Sequence, residues 1–149
     1  MADSLAIGDV LEITCPGGVA YMAYAGREAS MGDAIWLVPK VYAAPTDAWT
    51  QIFAGKGYFV FYPAHTALRR KLVRKVGYST DAIRPLPSKQ RSVVNRDEGG
   101  RVTRWLISEG RNRVPRRDED LDEFERNLPI ADIWNHPYLI DAIERGYVP

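Results

Sequence analysis

The chain has 149 residues, of which 46% are hydrophobic and 26% are charged, and its formal net charge is +1. This length is typical of one domain, so we expect a single domain over residues 1–149 with a core that needs no covalent staples. The single cysteine, Cys15, excludes an internal disulfide and favours a reducing compartment. The N-terminus lacks a basic–apolar leader and no window holds 18 apolar residues, so we expect a cytoplasmic protein without a membrane span.

The small net charge hides a strong segregation along the chain. Residues 1–66 carry three basic and six acidic side chains, and residues 67–117 carry fifteen basic and four acidic ones. Residues 118–149 carry two basic and nine acidic ones. This asymmetry is the main functional hint in the sequence.

The first half of the chain predicts strands. Alternating, β-branched and aromatic residues recur between turn signals such as Pro16-Gly17-Gly18, which predicts a hairpin between the first two strands. Pro39 lies inside the third strand and places it at a sheet edge or at a bulge. The predicted strands are Ile7–Thr14, Val19–Gly26, Ala34–Tyr42, Trp49–Ala54 and Tyr58–Tyr62.

A helix is predicted next, from Pro63 to Val76 with Gly77 as the residue that ends it. Apolar residues recur there every four positions, from Ala64 to Val76, while Lys and Arg project on the other side. The basic side is either a binding surface or the solvated face of a packed helix.

The second half predicts a small hairpin system followed by helices. Arg91–Asn95 and Arg101–Ser108 pair around a turn, and Arg111–Val114 forms a short third strand. Asp118–Arg126 is predicted as an acidic helix anchored by Leu121 and Phe124. A last helix begins at Pro137, is capped by Asn135 or His136, and ends at Gly146.

These elements predict an α+β fold. We expect a mainly antiparallel curved sheet or small open barrel, with one inserted helix and a helical C-terminal segment. Trp134, Leu139, Ile140 and Ile143 are expected in the core.

No catalytic, metal or cofactor signature stands out. His65 and His136 are 71 positions apart, and no Cys or His lies at metal-ligand spacing. Cys15 is interpreted as a small buried apolar side chain at a strand end, and the alternative is a nucleophile paired with a histidine distant in sequence. The glycines at 17–18 and 55–57 do not lead into a phosphate-binding helix. We therefore expect a protein that is not an enzyme and holds no cofactor.

The acidic segment offers a protein-binding patch. Six carboxylates lie within residues 118–125, and surface charge of one sign speeds encounter with a partner of the other sign. The alternative is internal compensation, in which this segment folds near the preceding arginines. The candidate partner contacts are Asp118, Glu119, Asp120, Asp122 and Glu123.

The basic region from residue 69 to 117 supports a second hypothesis, a nucleic-acid-associated accessory protein. Lys and Arg side chains would contact phosphates, while Tyr78 and Trp105 would stack on bases. No recognised nucleic-acid module accompanies them. The candidate basic surface comprises Arg69, Arg70, Lys71, Arg74, Arg111, Arg113, Arg116 and Arg117.

Several segments taken in order resemble a known group of bacterial proteins. They are IGDV, YMAYAGRE, FYPAHTALRRKLVRKVG and the closing LPIADIWNHPYLIDAIERGYVP. Together they are similar to the immunity proteins of polymorphic toxin systems, in particular the family numbered twenty-six, or to a related group with a similar tail. The chain departs from that pattern at Ala25, where an aromatic residue would precede Gly26-Arg27. The resemblance implies a non-enzymatic protein that binds and blocks a cognate toxin, and it assigns no binding residue.

Overall fold

The computed structural model describes residues 4–149 of the chain. Residues 1–3, part of the stretch inspected for a secretion signal, lie outside the described residues. The predicted α+β class is confirmed: the described chain has eight strands in two antiparallel sheets and four α-helices, and neither sheet closes into a barrel. Two compact units emerge, unit 1 up to Leu86 together with Ile133–Pro149, and unit 2 over Pro87–Asp132. The single-domain expectation stays a prediction.

Unit 1 is built on a five-stranded sheet. Its strands lie in the order β4-β3-β2-β1-β5, and every neighbouring pair is antiparallel. The predicted hairpin of the first two strands and the aromatic strand after Gly57 are confirmed. The strands are β1 (Asp9–Cys15), β2 (Gly18–Glu28), β3 (Gly32–Tyr42), β4 (Tyr58–Phe61) and β5 (Val73–Tyr78).

Both faces of this sheet are covered, which explains why β1 and β2 are buried almost throughout. On one face, Leu11, Met22 and Leu37 pack with helices α2 (Ala64–Arg69) and α4 (His136–Glu144). On the other face, Val10, Tyr21 and Val38 pack against helix α1 (Trp49–Ala54). The predicted core residues Trp134, Leu139 and Ile143 are all buried, and Ile140 is partly buried against them.

The predicted helix from Pro63 to Val76 is wrong in its second half. Helix α2 ends at Arg69, Lys71 adopts a left-handed backbone (φ 59°), and the chain continues as β5 along the edge of β1. Gly77 does not end a helix, because it lies in β5 where an added Cβ would meet the Trp49 indole at 3.0 Å. The four-residue spacing of apolar residues was overridden by the free edge of β1, which gains an antiparallel partner strand with one register shift between Val10 and Leu11.

Two further expectations concern the segment around β3. Trp49–Ala54 was predicted as a strand and is helix α1, because Ile52 and Phe53 both turn into the apolar face. Pro39 lies at an irregularity of the sheet, as expected. The register between β2 and β3 shifts next to it, and β4 pairs with residues 34–37 of β3, short of Pro39. The missing proline N–H therefore interrupts no ladder.

Unit 2 is a three-stranded antiparallel sheet in the order β6-β7-β8. The strands are β6 (Gln90–Arg96), β7 (Val102–Glu109) and β8 (Asn112–Arg117), so the predicted hairpin and third strand are confirmed, although the third strand begins one residue later and ends three residues later than predicted. Trp105 and Ile107 face a small core with Leu121 and Leu128. In the described part of the chain, no helix is long and apolar enough to cross a membrane.

The predicted acidic helix is mostly absent. Asp118–Asp120 form a single 3₁₀ turn, and helix α3 is limited to Glu123–Arg126. Leu121 is buried as predicted, but Phe124 is 58% exposed and is no anchor. The break before Glu123 rotates Phe124 outward, and Leu128 occupies the core position instead.

Candidate functional site

An open groove in unit 2 brings together residues from both predicted charged sets. Its volume is about 670 Å³, and it lies between the β6–β7 turn and the end of β8. Charged side chains of both signs line it: Asp97, Arg101, Arg104, Arg117, Asp118 and Glu119. Asn95 and Thr103 add polar groups. Of the sequence-predicted contacts, Arg117, Asp118 and Glu119 therefore meet in this groove.

A rigid turn holds one wall of the groove. The backbone N–H of Arg101 donates to the Asp97 carboxylate at 2.9 Å, and the Asp97 N–H donates to the Arg101 carbonyl at 2.9 Å. Gly100 has a positive φ of 84°, which costs a glycine little. The Arg96 guanidinium donates to the Gly100 carbonyl and closes the turn further.

Asp118 is occupied by structural contacts. Its carboxylate accepts the indole N–H of Trp105 at 2.9 Å and lies 3.6 and 3.7 Å from the guanidinium groups of Arg126 and Arg101. The Trp105 hydrogen bond, with help from both arginines, holds the pKa of Asp118 below its usual value. Only 20% of this side chain is exposed. Asp118 therefore fastens the 3₁₀ turn to β7.

Glu119 and Asp120 are held only at the surface. Both bind Arg117, Glu119 at 3.1 Å and Asp120 at 2.9 Å, and the Asp120 hydrogen bond raises the pKa of that guanidinium. All three side chains are well exposed, with 71% of Glu119 open to solvent. Solvent screens such pairs, so a partner can replace them at low cost.

The remaining two acidic candidates differ from each other. Asp122 caps helix α3: its carboxylate accepts the N–H of Glu125, whose side chain accepts the N–H of Asp122 in return. Glu123 is exposed and forms no ion pair with any residue in the described range 4–149. Asp122 thus stabilises helix α3, while the Glu123 carboxylate is available to contact a partner.

The predicted basic surface is divided between the two units. Arg69, Arg70, Lys71 and Arg74 belong to unit 1, and Arg111, Arg113, Arg116 and Arg117 belong to unit 2.

Several of these basic groups are occupied by partners. Arg74 binds the buried carboxylate of Glu12 at 2.8 Å, and Arg116 binds Glu125 at 3.2 Å. These ion pairs show that the acidic segment is compensated by arginines of unit 2, which is the alternative stated above. Unit 2 as a whole carries ten basic and ten acidic side chains.

Sequence reasoning missed a buried polar cluster around Asp33 in unit 1. Its carboxylate accepts the Tyr24 hydroxyl at 3.0 Å and both the backbone N–H and the Nδ1 of His65, at 3.0 and 2.9 Å. Burial alone would raise the pKa of Asp33, but these hydrogen bonds outweigh it and lower that pKa. The cluster ties the start of α2 to β3, and no local sequence signal marks Asp33, because its partners lie 9 and 32 positions away along the chain.

The other two reactive groups in unit 1 are also packed. The Tyr62 hydroxyl lies 2.9 Å from Nδ1 of His136, and burial lowers the pKa of that histidine. Cys15 ends β1 and is buried, as predicted, and its burial raises the pKa of the thiol. Within residues 4–149, no cluster of three His, Cys, Asp or Glu side chains has the placement of a metal site.

Comparison with protein-family models, with curated proteins and with solved structures finds no match to this chain.

Proposed function

We propose that this chain is a non-enzymatic binding protein of the bacterial cytoplasm, an immunity protein that neutralises a cognate toxin by direct protein–protein contact. The observation that carries the proposal is the open groove of unit 2, which is lined by charges of both signs and lies beside Glu119 and Asp120, whose ion pairs with Arg117 are solvent-exposed. The resemblance described above supplies the immunity role, and the groove supplies the contact surface.

Glu119 and Asp120 are the acidic contacts that this geometry supports best. Each can leave Arg117 and bind a Lys or Arg of the partner, because an exposed ion pair contributes little to stability. Glu123 adds a third exposed carboxylate on α3. Asp118 and Asp122 are set aside as contacts, since both hold unit 2 together.

The nucleic-acid alternative has less support. A phosphate backbone placed in the groove would meet the carboxylates of Asp97, Asp118 and Glu119. Arg116 and Arg117 would first have to leave their acidic partners. A nucleic acid remains an outcome that the test must be able to reveal.

A rescue experiment tests the proposal. The reading frame next to this gene is expressed as a toxin in a sensitive bacterium, with and without this chain, and survival is counted. We expect the wild-type chain to restore growth and the double variant Glu119→Lys with Asp120→Lys to lose that protection.

The matched control changes the same charges elsewhere. Asp141→Lys with Glu144→Lys reverses two exposed carboxylates on α4, one of which also pairs with an arginine, Arg145. Equal protection by both double variants would place the contact outside the groove. Absence of any rescue, together with DNA binding that weakens steeply from about 50 to 200 mM salt, would favour the alternative.

A further inference from the structure

Two arginines face each other across the unit 2 sheet. Arg104 of β7 and Arg117 of β8 are direct partners in the antiparallel register. Directly opposed residues project from the same face with their Cβ atoms about 4.5–5.5 Å apart, and like charges in that position destabilise the pair. Both side chains line the groove.

The two arginines differ in what neutralises them. Arg117 is held by Glu119 and Asp120, whereas the Arg104 side chain is exposed and its guanidinium makes no ion pair or hydrogen bond with any residue of the described range 4–149. Arg104 also lines an adjoining cavity of about 290 Å³, together with Pro115 and Asp120. It is thus a free guanidinium at the junction of two concave surfaces.

The neighbours of Arg104 extend its donor set. Asn95 of β6 is its register partner on the other side, and Asn95 also lines the groove. A row of polar side chains therefore crosses three strands, from Asn95, which lies at an irregularity of the register, through Arg104 to Arg117, whose donors are already engaged by Glu119 and Asp120. A planar guanidinium within such a row suits bidentate binding of a carboxylate or phosphate.

We propose that Arg104, flanked by Asn95 and Arg117, is the anchor of the groove and binds a single Asp or Glu side chain of the partner protein. This inference rests on the proposed function and specifies the partner surface. A lone carboxylate fits better than a chain of phosphates, because Asp97 and Glu119 lie in the same groove and would repel a continuous polyanion. The surface that matches is an acidic residue flanked by basic ones, which would meet those two carboxylates.

The first test uses the protein alone. Arg104→Gln removes the repulsion between residue 104 and Arg117, so we expect the variant to have a higher urea midpoint than wild type in low salt. We expect this difference in midpoint to shrink as the salt concentration rises. The control is Arg111→Gln, an exposed arginine of unit 2 outside the groove, for which we expect no shift. A lower midpoint for Arg104→Gln would overturn the inference, since Arg104 would then serve the fold.

The second test uses a defined probe. The peptide acetyl-Lys-Glu-Lys-amide is titrated into the full chain while the Nε–Hε resonances of arginines are followed by NMR. We expect saturable shifts at Arg104 that vanish with the Gln version of the peptide. No shift at Arg104, or a tighter response to a twelve-nucleotide single strand than to the peptide, would overturn the inference.

The third test separates this inference from the proposed function. Against the toxin that the chain neutralises, we expect Arg104→Gln to weaken binding at least tenfold and Arg104→Lys to restore only part of it, because an ammonium cannot bind a carboxylate in the same two-point geometry. Tight toxin binding that is unchanged in Arg104→Gln would overturn the anchor and leave the immunity function standing. If the wild-type chain did not bind the toxin at all, the proposed immunity function would be wrong. The peptide titration would still test whether Arg104 binds a carboxylate.

Discussion

Replacing Asp118 with alanine should destabilise unit 2, although this residue belongs to a segment that looks like a solvated acidic run. The change removes the acceptor of the Trp105 indole N–H, and Trp105 is only 5% exposed. A buried donor left without a partner costs about 1–3 kcal/mol. The ion pairs with Arg101 and Arg126 are long, at 3.7 and 3.6 Å, and their arginine sides are open to solvent, so they add ~0–1 kcal/mol and we expect a total loss of about 2 kcal/mol.

The assay follows the indole N–H resonances of the four tryptophans during urea unfolding, because Trp105 alone among them lies in unit 2. Asp118→Asn keeps an acceptor for the indole and should lose clearly less than Asp118→Ala. Glu123→Ala, which removes an exposed and unpaired carboxylate, should stay within ~0.5 kcal/mol of wild type. If Asp118→Ala also stays within that range, the division of the acidic segment into structural and available residues is wrong.

Three further predictions concern unit 1. Because the pKa of Asp33 is lowered in the folded state, its ionised carboxylate contributes fully to the free energy of unfolding above about pH 4. This contribution is lost as the pH falls through the pKa of the folded state, so Asp33→Asn should flatten the acid limb of a stability-against-pH curve. An acid limb as steep as that of the wild-type chain would contradict this. Gly18→Ala should cost about 2 kcal/mol or more in thermal or urea unfolding, since its Cβ would collide with the Tyr42 carbonyl at a backbone φ of 150°; a neutral result would refute the close approach. Lys71→Gly should leave the free energy of unfolding unchanged or raise it by up to about 1 kcal/mol, because Lys71 has a positive φ. The same change at Arg70, where φ is −82°, should destabilise the protein. Equal losses at both sites would support a continuous helix.

Strands with strong local signals could be predicted from the sequence. The Pro16-Gly17-Gly18 turn and the β-branched and aromatic residues of β3 determined their elements locally, since side-chain alternation and turn chemistry act over a few residues. The same holds for the hairpin of unit 2, which closes over Gly99-Gly100. The last helix was also recognisable from its Asn135 cap and the proline that follows His136.

Elements decided by distant partners could not be predicted. Val73–Tyr78 fits a helical stripe equally well, and only the free edge of β1, some sixty residues earlier, makes it a strand. The Asp33 cluster joins residues 9 and 32 positions away, which no local pattern reveals. In the acidic segment the sequence indicated the compensating arginines nearby, but not that Trp105 would take Asp118 while Glu119 stayed at the groove.

The most direct test of the binding hypothesis is calorimetric titration of the purified toxin with this chain at several salt concentrations between about 50 and 200 mM. We expect a one-to-one complex whose affinity falls with salt, drops at least tenfold in Glu119→Lys with Asp120→Lys, and is unchanged in Asp141→Lys with Glu144→Lys. An affinity that ignores both salt and the groove variant would contradict the assignment of this groove as the docking surface.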